Sequence, residues 1–471
     1  MPPISRCLSA IPAVETLLRH AELAAVLRHV PRLVVVESVR AVLARERARL
    51  AEPGAVAATA EALACVAAAE AETLAGPGLR RVLNASGVVL HTNLGRAPLA
   101  PAAQAAVAAV ACGYSSLEYD LASGRRGERG AGVERWLTRL TGAEGALCVN
   151  NGAAALLLAL SALAAGRRVL VSRGELVESG GSFRIPEILQ KSGATLIEVG
   201  TTNRTHLRDY ERALERHGDV AVILRVHPSN FRIEGFTARP GLKELATLAR
   251  KRRVALVEDL GSGALVDLAP FGLEHEPTVG ESLAAGCDVV TCSGDKLLGG
   301  SQAGLVLGKR KWLAMVKKDP LARALRLDKL ALAALEATLP LYADSDRAVR
   351  EVPVLAMLRL TPGELEARAR RLAAALAARI PGLRATVVAG HGEVGGGALP
   401  LRRLPGWVVG IEQEGRAAQE LERRARAAAP PVIGTIRAGR WRLDPRTLGV
   451  DELDEVVEAL ARAFAPGVMG G

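Results

Sequence analysis

Short runs of β-branched and apolar residues alternate with Ala/Leu-rich stretches through the middle of the chain. The runs are Ala146–Val149, Arg168–Val171, Ala194–Val199, Val220–Leu224, Val254–Val257 and Asp288–Cys292. They lack the polar alternation of a half-solvated strand, so they read as buried strands. The intervening helical stretches make the expected fold an α/β architecture with a mostly parallel sheet of seven strands, covered by helices on both faces. Before this region, residues from about Val14 to Glu72 read as amphipathic helices that end near Gly76-Pro77-Gly78. After it, Leu327–Leu341 reads as one long helix. Thr361–Arg379 reads as another, with Thr361 as N-cap and Pro362 at the first helical position. Ala385–Val388, Trp407–Ile411 and Pro431–Ile436 read as strands of a small C-terminal α+β domain, in which no residue suggests a catalytic role. The expected division is therefore 1–78, 79–340 and 341–471.

Composition narrows the function. The chain has 471 residues, of which 49% are hydrophobic, enough for two or three domains with substantial cores. Its formal charge of +11 favours a polyanionic partner or an acidic substrate. Aromatic residues make up only 3%, which argues against RNA recognition by base stacking. The helical N-terminal segment carries Arg19, Arg28, Arg32, Arg40, Arg45, Arg47 and Arg49, so it suits either a nucleic-acid arm or an oligomerisation arm. The six cysteines show neither C-x-x-C spacing nor clustering with histidine; no zinc site or disulfide framework is expected, and free thiols fit a reducing cytoplasm. The uncharged stretch Leu147–Gly166 is interrupted by Asn150, Asn151 and Gly152. What remains is an apolar run of about 14 residues, the length of a core helix rather than a membrane span.

Candidate chemistry centres on Cys292-Ser293-Gly294-Asp295-Lys296-Leu297-Leu298-Gly299-Gly300. Lys296 lies at the exit of a buried strand, where open α/β sheets bind ligands and where partial desolvation lowers an amine's pKa. Such a lysine can condense with an aldehyde, and pyridoxal phosphate is the aldehyde cofactor that uses one. A solvated lysine in a Gly-rich loop is the competing reading of this run taken alone. Three features complete a cofactor site. Asn151, Gly152 and Ala153 open a helix after a strand, where free N–H groups hold phosphate. Asp259 ends the strand-like run Val254–Val257 and can pair with a pyridinium nitrogen, or merely cap the next element. Ser293, three residues before Lys296, can donate to the phosphate. Asn230 follows a strand and can reach the ring hydroxyl, although a structural turn explains it equally; His227 and Arg173 are further candidates for the ring.

Four segments carry a resemblance: Asn84–Ala97, Tyr119–Gly127, Gly180–Arg184 and Ser293–Gly300. Together they resemble the bacterial selenocysteine synthase family, the L-seryl-tRNA(Sec) selenium transferases, from the helical N-terminal domain to the C-terminus. The resemblance implies a fold-type I pyridoxal phosphate transferase that converts seryl-tRNA(Sec) to selenocysteinyl-tRNA(Sec) through a dehydroalanyl-tRNA intermediate, with selenophosphate as donor. It also implies a cytoplasmic homo-oligomer, a ring of dimers, with neither DNA nor a membrane as partner. Lys296 matches the family's cofactor lysine, Arg96 an arginine that helps hold the anionic donor, and Arg323 with Arg326 an R-x-x-R pair. On a helix those two arginines would share a face and fork onto an oxyanion. In the expected mechanism Lys296 removes the Cα proton and Asp259 keeps the ring protonated. Asp295 assists the leaving hydroxyl or acts on the donor phosphate. The alternative is a pyridoxal phosphate lyase or aminotransferase acting on a small amino acid or amino sugar phosphate; a non-catalytic RNA-binding protein is a third reading, disfavoured because Lys296 and Asp259 are both present.

Overall fold

The computed structural model describes residues 11–52, 55–179, 183–229, 231, 233–399 and 402–465. The chain divides into two compact units, Met1–Arg81 and Val82–Gly471.

In the first unit the helices Val14–Leu18, Ala21–Val26, Arg32–Leu50 and Ala60–Ala75 pack around Leu17, Leu23, Val35, Val39, Leu43, Ala64 and Ala67. Val35, Val39, Val42 and Leu43 recur at helical spacing, which puts them on one buried stripe. The arginines Arg19, Arg28, Arg32, Arg40, Arg45, Arg47 and Arg49 are all exposed. Thr59 caps the last helix by accepting a hydrogen bond from the Ala62 N–H at 3.2 Å.

The second unit is built on a seven-stranded sheet. Its order is Gly145–Val149, Gly304–Gly308, Val289–Ser293, Ala255–Gly261, Val220–Val226, Arg168–Ser172 and Thr195–Val199. Gly304–Gly308 runs antiparallel to both neighbours, while the remaining pairs are parallel. This strand was missing from the apolar runs picked out above and supplies the seventh. Every residue of Val220–Val226 is buried, because helices cover both faces and leave no polar side for alternation. Two apolar cores lie against the sheet; the helix Gly152–Ala164 packs into one and Ala131–Thr141 into the other.

A second sheet orders Thr435–Arg437, Arg440–Leu443, Arg403–Gln413, Leu383–Gly395 and Val88–Leu90. Its last strand comes from near the start of the unit and lies parallel to Leu383–Gly395, with Glu393 opposite Val88 and Gly395 opposite Leu90. Leu83–Asn84 likewise pairs with Val432–Ile433. Residues 83–90, inside the expected catalytic domain 79–340, pair with strands of the C-terminal layer. The helix Pro362–Arg379 begins as expected, with Thr361 Oγ1 accepting from the Glu364 N–H at 3.3 Å and the Glu364 carboxylate accepting from the Thr361 N–H at 2.8 Å. The run Pro431–Ile436 forms two short strands instead of one. A Cβ on Gly434 would come within 2.6 Å of both the Arg442 carbonyl and Trp441 Nε1, so the chain turns there without a side chain.

Two helix expectations are corrected. Leu327–Leu341 contains a helix only over Lys329–Thr338, started by Asp328, which accepts from the Leu330 N–H at 2.7 Å and the Ala331 N–H at 3.1 Å. A 3₁₀ segment containing Pro340 follows. Arg323 lies on the short helix Pro320–Ala324, but Arg326 lies beyond its end and bridges the strand residue Val149. The two arginines do not share a helix face. Among the described residues, no helix is long and apolar enough to cross a membrane.

Gly304 is a tight point of the large sheet: a Cβ there would run into the Asn151 carbonyl and stand 2.9 Å from Ala155 Cβ. Gly304→Ala should lower stability by about 1–3 kcal/mol through overpacking, as read by denaturant unfolding; an unchanged midpoint would contradict this packing.

Candidate active site

The strand Val289–Ser293 ends at the carboxyl edge of the large sheet, and the chain turns at once into the loop that carries Lys296. The loop is closed on itself. The Gly294 N–H donates to the Ala303 carbonyl at 2.9 Å, the Gly300 N–H to the Gly294 carbonyl at 2.8 Å, and the Leu297 N–H to the Ser262 carbonyl at 3.1 Å. Tyr342 holds it from behind, its hydroxyl donating to the Leu298 carbonyl at 2.7 Å. A Cβ on Gly300 would stand 2.8 Å from Leu335 Cδ2, which explains a glycine at that closure.

Lys296 emerges from this loop into a cavity of about 1030 Å³. Asp259, Ser293, Asn151, Gly152, Ala153 and Arg96 line the same cavity, so six of the expected site residues converge on Lys296. Thr291 Oγ1, on the adjacent strand, donates to Asp259 Oδ1 at 2.8 Å and fixes that carboxylate. Asn151 caps the helix Gly152–Ala164, its Oδ1 accepting from the Ala154 N–H at 2.8 Å. The Gly152 and Ala153 N–H groups belong to the first turn and have no intrahelical acceptor. Ser293 Oγ sits against that turn, only 2.5 Å from where a Cβ on Gly152 would be.

The electrostatics suit an amine that must react. Burial holds the Lys296 amine below the ordinary lysine value; the Asp259 carboxylate pulls the other way, and Arg96 adds to the lowering. Burial also pushes the Asp259 carboxyl above the ordinary carboxylate range, against the Thr291 hydrogen bond and the charge of Lys296. These residues fit pyridoxal phosphate: an amine for its aldehyde, a carboxylate for its ring nitrogen, and first-turn amides with a hydroxyl for its phosphate.

Other expected residues lie elsewhere. Asp295 is buried and does not line the cavity; its Oδ2 accepts from Arg96 Nη1 at 2.9 Å, and its carbonyl accepts from the Ala97 N–H at 3.3 Å. Arg323 and Arg326 are exposed and do not line it either, Arg326 Nη1 standing 3.4 Å from Glu118 Oε1. Arg173 pairs with Glu198 at 2.8 Å away from the cavity, whereas His227 lines it. Asn230 lies outside the described residues, as do Gly180, Gly181 and Ser182.

The sequence reading missed the contribution of the second sheet. The strand Leu383–Gly395 runs on into Gly396 and Gly397, and a Cβ on Gly397 would stand 2.5 Å from Lys296 Nζ. Arg402, Arg403 and His91 also line the cavity. The triplet Gly395-Gly396-Gly397 at a strand end was a usable signal, since glycine there marks a close approach of backbone.

A family model described as L-seryl-tRNA selenium transferase matches residues 82–449, and one described as selenocysteine synthase N terminal matches residues 8–47. The chain is similar to the L-seryl-tRNA(Sec) selenium transferase of Geobacter metallireducens, 52% identical over 384 residues that cover 81% of this chain and 83% of that one. The protein of the same name from Geobacter sulfurreducens is 48% identical over 456 residues, covering 96% and 98%. Among solved structures, D-glucosaminate-6-phosphate ammonia-lyase superposes with a TM-score of 0.55 at 21% identity, covering 82% of this chain and 96% of that one, a likeness of fold.

A lowered lysine pKa leaves the amine neutral at lower pH than in a free lysine. The rate at which pyridoxal phosphate condenses with cofactor-free protein should therefore rise with pH through a midpoint below ~10.4, the ordinary lysine value. Asp259→Asn should lower that midpoint further, because the carboxylate opposes the shift. Absorbance of the condensed cofactor reads both, and a midpoint at or above the free-lysine value would contradict the burial argument.

Proposed function

The chain belongs to the L-seryl-tRNA selenium transferase family, and from that premise we infer that it converts L-seryl-tRNA(Sec) to L-selenocysteinyl-tRNA(Sec) as a fold-type I pyridoxal phosphate enzyme. The observation that carries this reading is one cavity in which Lys296, Asp259 and the start of the helix Gly152–Ala164 meet.

When bound, pyridoxal phosphate supplies an aldehyde carbon that takes amines reversibly and a ring that accepts the electron pair released at the neighbouring carbon. Lys296 Nζ would anchor the cofactor through its aldehyde carbon. The Lys296 amine, its pKa lowered by burial, would take the seryl Cα proton. Asp259, oriented by Thr291, holds the proton on the pyridine nitrogen. The Gly152 and Ala153 N–H groups and Ser293 Oγ bind the phosphate. Loss of the β-hydroxyl as water leaves Cβ open to selenium.

The selenium donor in this reading is selenophosphate. Arg96, fixed by Asp295 at 2.9 Å, presents a guanidinium to the cavity for that anion. Asp295 therefore acts by positioning Arg96. Arg323 and Arg326 lie off the cavity of their own chain, so their part in holding the donor requires a neighbouring copy in a homo-oligomer, a ring of dimers. Residues 1–78 serve as the tRNA-binding domain, with exposed arginines for the phosphate backbone. Residues 79–340 form the catalytic domain, apart from residues 83–90, which pair with strands of the C-terminal α+β domain, 341–471. A charged tRNA as substrate makes the cytoplasm its location.

Incubating the holoenzyme with seryl-tRNA(Sec) and selenophosphate should yield selenocysteine on the tRNA, with none formed from free serine. Unchanged seryl-tRNA, together with turnover of a small amino acid or amino sugar phosphate, would shift the assignment to a lyase. Lys296→Ala should lower tRNA-dependent turnover by at least ~10³-fold, since it removes both the anchor and the general base.

A further inference from the structure

Losing the seryl β-hydroxyl as water needs a proton, which can come from the ammonium that Lys296 becomes on taking the Cα proton or from a separate acid in the cavity lining. Asp295, the sequence candidate, does not line the cavity and is bound to Arg96. The remaining carboxylates in the lining are ion-paired, and His227 stands beside a buried carboxylate. Glu178 pairs with Arg184 at 2.7 Å, Glu393 with Arg437 at 2.9 Å, and His227 Nε2 stands 3.3 Å from Glu276 Oε1. His91 is different: it lines the cavity, and its Nδ1 is buried without a hydrogen-bond partner.

The backbone of His91 is fixed. Its carbonyl accepts from the Leu94 N–H at 3.0 Å and from the Arg96 N–H at 3.1 Å. It follows directly on Val88–Leu90, whose Leu90 lies opposite Gly395, and a Cβ on Gly396 would stand 2.9 Å from Thr92 Oγ1. One residue further along, Gly397 covers Lys296 Nζ. A strand advances about 3.3 Å per residue, so this register brings His91 beside the lysine end of the cavity.

We propose that His91 is the general acid that protonates the departing β-hydroxyl of the tRNA-borne serine, an inference that rests on the transferase reading above. In this step Lys296 Nζ has taken the Cα proton, and the electron pair left at Cα forms the Cα–Cβ double bond. The Cβ–O bond breaks with its electron pair going to oxygen. The His91 imidazolium gives that oxygen a proton, so water leaves; solvent reprotonates the neutral ring and takes the Cα proton from Lys296 Nζ.

The test compares two leaving groups on the holoenzyme, one that needs a proton and one that does not. Seryl-tRNA(Sec) and β-chloroalanyl-tRNA(Sec) are each turned over by the parent, His91→Ala and His91→Gln, and Cα-proton exchange into deuterated water is followed on the seryl substrate. Both variants should lose about 10²-fold or more in elimination from serine while exchange and elimination of chloride stay within about threefold of the parent. Equal losses on both substrates, a parallel loss of exchange, or no loss at all in either variant would overturn the role of His91. Failure of the parent itself on seryl-tRNA(Sec) would overturn the transferase reading instead, a result separable from any behaviour of the variants.

Discussion

A buried amine must recover the hydration it gives up, and the second unit is organised around one. Lys296 reaches a cavity at the carboxyl edge of a parallel sheet, with Asp259 as the countercharge and burial strong enough to hold the amine below its usual pKa. The lysine can sit there because its loop is pinned at Gly294, Gly300 and Tyr342, and because Gly397 closes over it without a side chain. Remove the closure and the amine returns to water as an ordinary lysine. The second sheet is therefore part of the site.

The same geometry explains why the start and the end of the unit meet. Val88–Leu90 joins the sheet of Leu383–Gly395, and the chain then passes His91 and Arg96 along the cavity. Arg96 arrives in a left-handed conformation, φ 63°, directly after Gly95, which adopts φ 88° without strain, and the Asp295 ion pair holds Arg96 there. First-turn amides and Ser293 stand at one part of the cavity, and guanidinium groups from Arg96, Arg402 and Arg403 stand at others. A cavity with several anion-attracting groups suits a reaction in which the cofactor and the tRNA-borne substrate both carry phosphate.

Local chemistry made much of this legible in the sequence. Apolar runs without alternation gave the parallel strands, and a lysine, an acid and a small-residue helix start at their carboxyl ends gave the cofactor site. What escaped depends on contacts distant in sequence. Gly304–Gly308 is flanked by glycines that mask it as a loop, yet it is held by pairing on both sides. Nothing local in Val88–Leu90 announces a partner some three hundred residues away, so the place of His91 on the cavity was not legible, whereas the triplet Gly395-Gly396-Gly397 did signal a close approach of backbone. The spacing of Arg323 and Arg326 suggested a shared helix, but bridging to Val149 ends the helix between them. Asn230 falls outside the described residues.

Attachment of the cofactor to Lys296 is the claim on which the chemistry rests most directly. Borohydride reduction of the holoenzyme, followed by proteolysis and mass mapping of the reduced adduct, reads that position without depending on turnover. The adduct is expected on the peptide containing Lys296 and on no other lysine. A protein that binds pyridoxal phosphate but carries the reduced group elsewhere, or carries none, would contradict it.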